Sequence, residues 1–193
     1  ILALPQVYIP QTPEVPVPVL HNTILSDLIY IAEPSRLFLN EEIWAGSWPT
    51  WNPNQYAGAP TLAARFSPFI ILLACFKSPV IIAWVQLLVA EVAAIGFYWF
   101  CRRILSIGFW PSIITAWCYP LTGYFIFWQG FCHPMTVCLL PWLLIMVDGV
   151  VNGGTRWAWP GMALGTGLII ASGQTDVAGQ VLITSGFFAL WRL

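Results

Sequence analysis

A chain of 193 residues that is 59% hydrophobic and only 8% charged cannot clothe a water-soluble globule, whose residues are typically about one quarter charged. With a mean hydropathy of +0.77, lipid is its natural solvent. The net charge of −1 and the lack of a basic run leave no electrostatic footprint for nucleic acid.

Residues 1–20 carry Pro5, Pro10, Pro13, Pro16 and Pro18, which excludes a regular helix and predicts an extended, polyproline-like arm. In "HNTILSDLIYIAEPSRLFLNEEIWAG", Ser26 and Asp27 are placed to cap a short helix. Pro34 and Ser35 then interrupt it, and "SRLFLNEEIWAG" reads as a second, amphipathic helix ending at Gly46. Residues 66–76 are too short to cross a bilayer and read as a re-entrant or interfacial helix ended by Lys77, Ser78 and Pro79.

The apolar spans follow. Val80 to Phe100 is the best candidate. Ile104 to Trp117, continuing past Pro120 to Phe131, reads as a broken helix. Pro134 to Val147, Trp157 to Ala171 and Val177 to Trp191 complete the set. If spans alternate, Arg102, Arg103, Arg156 and Arg192 fall on one face, which the positive-inside rule makes cytoplasmic. Residues 1–79 then lie outside. The expected fold is all-α: a polytopic integral membrane protein of about five transmembrane helices. Residues 1–79 form an external region of short interfacial helices with a Pro/Trp-rich loop, and residues 80–193 the transmembrane bundle.

Cys75, Cys101, Cys118, Cys132 and Cys138 form no CxxC pair and read as small buried hydrophobes. The chain starts without Met and stops at the edge of an apolar run, so both ends read as cut and the sequence as a piece of a longer chain.

Several residues carry candidate chemistry. Asp27 sits among apolar neighbours in "TILSDLIYIAEP". It reads either as a helix cap or as a general base, for which removal from water is suited. Glu91, inside a span, is a functional candidate by position, with Gln86 a possible neighbour one turn away. His133, at a helix start, reads as bonded to a backbone carbonyl in preference to a ligand role. Asp148 reads as solvated at the cytoplasmic end, and Asp176 lies on the same face as Asp27. "GMALGTG" at 161–167 reads as close helix packing.

The stretch "GSWPTWNPNQYAGAPTLAARFSPF" (46–69) predicts a rigid loop on the membrane face. Pro49, Pro53 and Pro60 restrict the backbone. Gly46 and Gly58 permit positive φ. Asn52 and Asn54 bond the loop's own backbone, and Trp48, Trp51 and Tyr56 suit the interface.

Asp27, Pro34, Arg36, Gly46, Pro49, Trp51-Asn52-Pro53, Gly58, Pro60 and Ala63 form a pattern that resembles YfhO-type bacterial membrane proteins, members of the GT-C-fold glycosyltransferase superfamily. "ASGQTDVAGQ" (171–180) is similar to that family's element after a span. The resemblance covers the chain as the N-terminal part of such a protein. It implies sugar transfer from a polyprenyl-phosphate donor on the external face of a bacterial inner membrane, with Asp27 as catalytic base. Arg36 or Arg65 would hold the donor phosphate, and Trp51, Asn52 and Gly58 would wall the substrate site. A divalent metal is a possible cofactor of such an enzyme, but no second Asp stands two positions after Asp27, so no metal ligand is assigned. The alternative class is a non-catalytic accessory subunit of a larger photosynthetic or respiratory membrane complex, holding protein subunits, lipid or pigment against its many Trp and Phe.

Overall fold

The computed structural model describes residues 27–54, 57–61, 67–154 and 156–193. The Pro-rich arm, Ser26, Tyr56, Ala63 and Arg65 lie outside the described residues. The chain is mostly helical.

The first described turn, Leu28–Ala32, is wound as a π-helix and runs directly into α1, Glu33–Trp44. The sequence reading of two helices separated at Pro34 is therefore corrected to one continuous rod. Proline lacks an N–H, and its ring pushes on the carbonyl four residues back. The widened turn accommodates this, because the Glu33 N–H reaches back five residues to the Leu28 carbonyl. At the far end, Gly46 takes φ +76°. The Gly46 N–H then bonds the Ile43 carbonyl at 3.0 Å and the Ser47 N–H bonds the Glu42 carbonyl at 3.0 Å. This is a Schellman cap, which a left-handed glycine makes possible.

The chain continues into a two-stranded antiparallel ribbon. β1, Trp51–Asn52, pairs with β2, Ala59–Pro60, in the register Trp51 to Pro60 and Asn52 to Ala59. Next comes α2, Pro68–Cys75, with proline at its first turn where no N–H is required. Its last carbonyls have no partners within the helix, and side chains of α1 supply them. Asn40 Nδ2 donates to the Ala74 carbonyl at 2.6 Å, Trp44 Nε1 to that of Cys75 at 3.2 Å, and an Arg36 Nη1 to that of Phe76 at 3.2 Å. The result is a helical hairpin stapled by polar side chains.

The bundle begins with α3, Val80–Arg103, and continues with α4, Phe109–Cys118. A 3₁₀ turn, Tyr119–Leu121, and the short α5, Gly123–Phe127, follow, so this segment is broken near Pro120 as the sequence predicts. Then α6, His133–Val137, leads almost without pause into α7, Leu140–Val151, with Pro141 in the first turn of α7 at the join. Last come α8, Ala158–Ile170, and α9, Thr175–Arg192. Among the described residues two segments are long and apolar enough to cross a membrane, Val80–Arg103 and His133–Val151. By length, α4 and α8 reach only about 15–20 Å at ~1.5 Å per residue, short of the ~30 Å of a bilayer core.

α7 is the central element, packed against α3, α8 and α9. Trp142 Nε1 on α7 donates to the Val92 carbonyl on α3 at 2.9 Å. Its indole lies over Gly96, where a Cβ would stand 2.4 Å from Nε1. Gly161 and Gly165 on α8 face Met146 and Leu143 of α7, the close packing expected of the small-residue run. One core cluster joins Phe69, Ile70, Val85, Val89, Phe125 and Met135. A second joins Leu143, Val147, Ile169, Val177 and Val181.

The two ends of the bundle differ. At one, Phe100 of α3 meets Phe188 of α9 with ring centroids 6.0 Å apart, and Arg192 Nε binds Asp148 Oδ1 at 2.6 Å. Arg102 and Arg103 end α3 at this level, and Arg156 joins α7 to α8. Asp148 is thus paired and half-buried, a correction to its reading as solvated. At the other end, buried Thr136 and Ser172 share a hydrogen bond and the Tyr119 hydroxyl donates to the Val137 carbonyl at 3.1 Å. Leu28 closes beneath Gly130 there. The α1–α2 hairpin and ribbon therefore stand at the end opposite the arginines.

Candidate functional site

A cleft of about 290 Å³ lies between the start of the α1 rod and the ribbon. It is lined by Tyr30, Ile31, Pro34, Ser35, Phe38, Asn52 and Asn54. The helical side presents one face, because residues three and four apart stack above each other along a helix.

The ribbon side is fixed by local bonds. Buried Asn52 accepts the Asn54 N–H on its Oδ1 at 3.0 Å, an Asx turn. Thr61 closes the base, with its hydroxyl donating to the Pro49 carbonyl at 2.8 Å and its N–H to the Thr50 carbonyl at 3.3 Å. Gly58 has φ +115°, and a Cβ there would stand 2.6 Å from Trp51 Cζ2. Glycine is thus required both by the backbone and by the indole lying over it. Trp51 keeps its outer face exposed, as an interfacial ring does. In the described parts of the loop Gly46 and Gly58 take positive φ and Asn52 bonds the loop's own backbone, as the sequence predicts.

The predicted site residues distribute unevenly. Asn52 lines the cleft, and Trp51 and Gly58 brace the ribbon behind it. Asp27 is exposed, without a capping bond from its side chain. Its own side chain therefore does not cap the helix, and Ser26, the other residue of the expected cap, lies outside the described residues. Asp27 stands about one turn before Tyr30 and Ile31 along the helix and is not among the residues that line the cleft.

Arg36 is placed elsewhere. It is buried, with Nε and Nη2 donating to both carboxylate oxygens of Glu33 at 2.8 and 2.7 Å, and Nη1 on the Phe76 carbonyl. The bond from Glu33 is the main reason that its pKa is raised above the usual arginine value. It stitches α1 to the end of α2 and does not line the cleft. Arg65 lies outside the described residues.

Phe38 and Ser35 were not singled out by sequence reasoning. The signal for them was available, because positions 31, 34, 35 and 38 repeat at helical spacing on the face carrying Tyr30. Among the described residues no three His, Cys, Asp or Glu gather as a metal ligand set, so the geometry assigns no residue to a divalent ion.

Two other ionisable groups were expected to matter. The His133 ring stacks on Trp128 at 4.1 Å, and its buried Nδ1 has no hydrogen-bond partner among the described residues, in place of the carbonyl bond expected from sequence. Glu91 is exposed on α3 and no bond joins it to Gln86. All five cysteines are free thiols. No family model matches the chain, and no curated protein and no solved structure matches it either.

Proposed function

We propose that α3–α9 form a polytopic bundle of five lipid-embedded segments, with the α1–α2 hairpin and ribbon on the external face. Two distributions support this. Arg102, Arg103, Arg156 and Arg192 gather at one end. Eleven of the twelve tryptophans lie near one end or the other, Trp142 alone being central. Trp99, Trp110, Trp157, Trp159 and Trp191 ring the arginine end and are exposed, the disposition of an interfacial belt.

On that external face the protein binds the sugar of a polyprenyl-phosphate donor and transfers it, as its likeness to YfhO-type proteins of the GT-C superfamily implies. The observation that carries this reading is the composition of the cleft. Tyr30 and Phe38 offer aromatic faces to the apolar side of a pyranose, and the amides of Asn52 and Asn54 offer donors and acceptors to hydroxyls. In the transfer, the acceptor hydroxyl attacks the anomeric carbon as the bond to the phosphate oxygen breaks. Asp27, one turn before Tyr30, takes the hydroxyl proton, and the carrier phosphate leaves. With Arg36 committed to Glu33 and Phe76, this chain's described residues serve the sugar and the proton rather than the phosphate.

The test is binding in proteoliposomes of undecaprenyl-phosphate hexoses against undecaprenyl phosphate alone, with transfer of a labelled hexose as the second readout. The hexose-bearing carrier should bind at least about tenfold tighter, a difference of ~1.4 kcal/mol, and Asn52→Ala should remove most of that preference. Asp27→Asn should abolish transfer while leaving binding intact. Equal binding of the two carriers would overturn the proposal.

A further inference from the structure

On α3 the side chains of Trp84, Leu87, Leu88, Glu91, Ile95 and Trp99 form one exposed stripe along the helix. Glu91 stands at its middle, eleven residues after Val80 and twelve before Arg103 (91 − 80 and 103 − 91). At about 1.5 Å per residue that is roughly 16 to 18 Å from either end, farther than a glutamate side chain reaches. No hydrogen bond or ion pair joins its carboxylate to any described residue. If α3 crosses a bilayer, this places a carboxylate against hydrocarbon, among the costliest positions a side chain can take.

We infer that this stripe is the seat of a transmembrane helix of a partner protein, and that this helix carries a lysine or arginine at mid-depth facing Glu91. The inference rests on the membrane reading above but is independent of the sugar reading. Charge complementarity decides the occupant. Every Lys and Arg of this chain either precedes α3 or stands at the arginine end of the bundle. A second copy packed on the same stripe would bring carboxylate to carboxylate and no cation to offset either. Trp84 and Trp99 flank Glu91 at similar distances, so an approaching helix finds a broad apolar face with one central anion, which fixes its register.

The test uses the full chain in phosphatidylcholine vesicles and a leucine-rich model helix about 20 residues long, with arginine, leucine or glutamate at its centre. Energy transfer between dyes on the chain and on the helix reports association. The arginine helix should half-saturate at about tenfold lower mole fraction than the leucine helix, and Glu91→Gln should cut that preference below about threefold. Equal binding of the arginine and leucine helices overturns the inference. So does a tenfold preference that survives Glu91→Gln, or a glutamate helix that binds as well as the arginine helix. In the same vesicles, a dye at Leu88→Cys, with the native cysteines replaced by serine, should be quenched by nitroxides on the acyl chains. Absence of quenching overturns this inference and the membrane reading together. Quenching with equal helix binding overturns this inference alone.

Discussion

Gly96→Ala is the smallest change that should disturb the centre of the bundle. The added Cβ would stand 2.4 Å from Nε1, 2.6 Å from Cδ1 and 3.0 Å from Cε2 of Trp142, against the ~3.5–4.0 Å of ordinary carbon contact. The indole must therefore withdraw by about 1 Å. That movement takes Nε1 off the Val92 carbonyl, to which it donates at 2.9 Å, a loss of about 0.5–1.5 kcal/mol. Overpacking between α3 and α7 adds about 1–3 kcal/mol. Alanine returns up to ~1 kcal/mol through its better helix propensity. The net expectation is a destabilisation of roughly 1–3 kcal/mol. The assay is reversible unfolding in lipid–detergent bicelles by titration with dodecyl sulfate, followed by far-ultraviolet circular dichroism. Gly96→Ala should cost much less in a Trp142→Ala background, because the obstructing ring is gone. A Gly96→Ala protein as stable as the parent, or an equal cost in both backgrounds, would refute the reasoning.

Three further outcomes follow from the same geometry. Arg36→Met should loosen α2 by roughly 1–3 kcal/mol, because it strands the Phe76 carbonyl and the half-exposed Glu33 carboxylate; faster amide exchange across Pro68–Cys75 than across α7 would show it. Thr136→Val should cost about 1–2 kcal/mol by leaving the buried Ser172 hydroxyl with one bond fewer, and adding Ser172→Ala should recover part of that in the same unfolding titration. Gly58→Ala should open the ribbon, since it combines φ +115° with a clash on Trp51. Proteolytic cleavage between β1 and β2 should rise, while cleavage between α7 and α8 stays constant.

Apolar runs at positions 80–100, 157–171 and 177–191 become single helices, whereas 134–147 is divided between α6 and α7, with Pro141 at the join. Gly46 and Gly58 were readable as turn residues because positive φ is a property of the single residue. Pro34 was misread because its effect depends on what precedes it, and here one widened turn absorbs the missing N–H without ending the rod. The role of Arg36 was not legible from spacing alone. Glu33 three residues earlier foretells the ion pair, but the Phe76 carbonyl is forty residues away and meets it only through the α1–α2 hairpin. The cleft escaped for the same reason. Its helical wall is periodic and readable, whereas its pairing with Asn52 and Asn54 follows from how the ribbon folds back on α1. Asp148 was read as solvated because its partner, Arg192, is forty-four residues distant.

The central claim is that the bundle sits in a bilayer with the cleft on the face opposite the arginines. The most direct measurement is thiol labelling of intact cells with a membrane-impermeant maleimide, using single cysteines in a background whose native cysteines are replaced. Asn54→Cys marks the cleft, and Gly154→Cys marks the exposed connection between α7 and α8 at the arginine end. Cysteine at 54 should label in intact cells, and cysteine at 154 only after permeabilisation. Labelling of both positions from the same side, or the reverse pattern, would contradict the account.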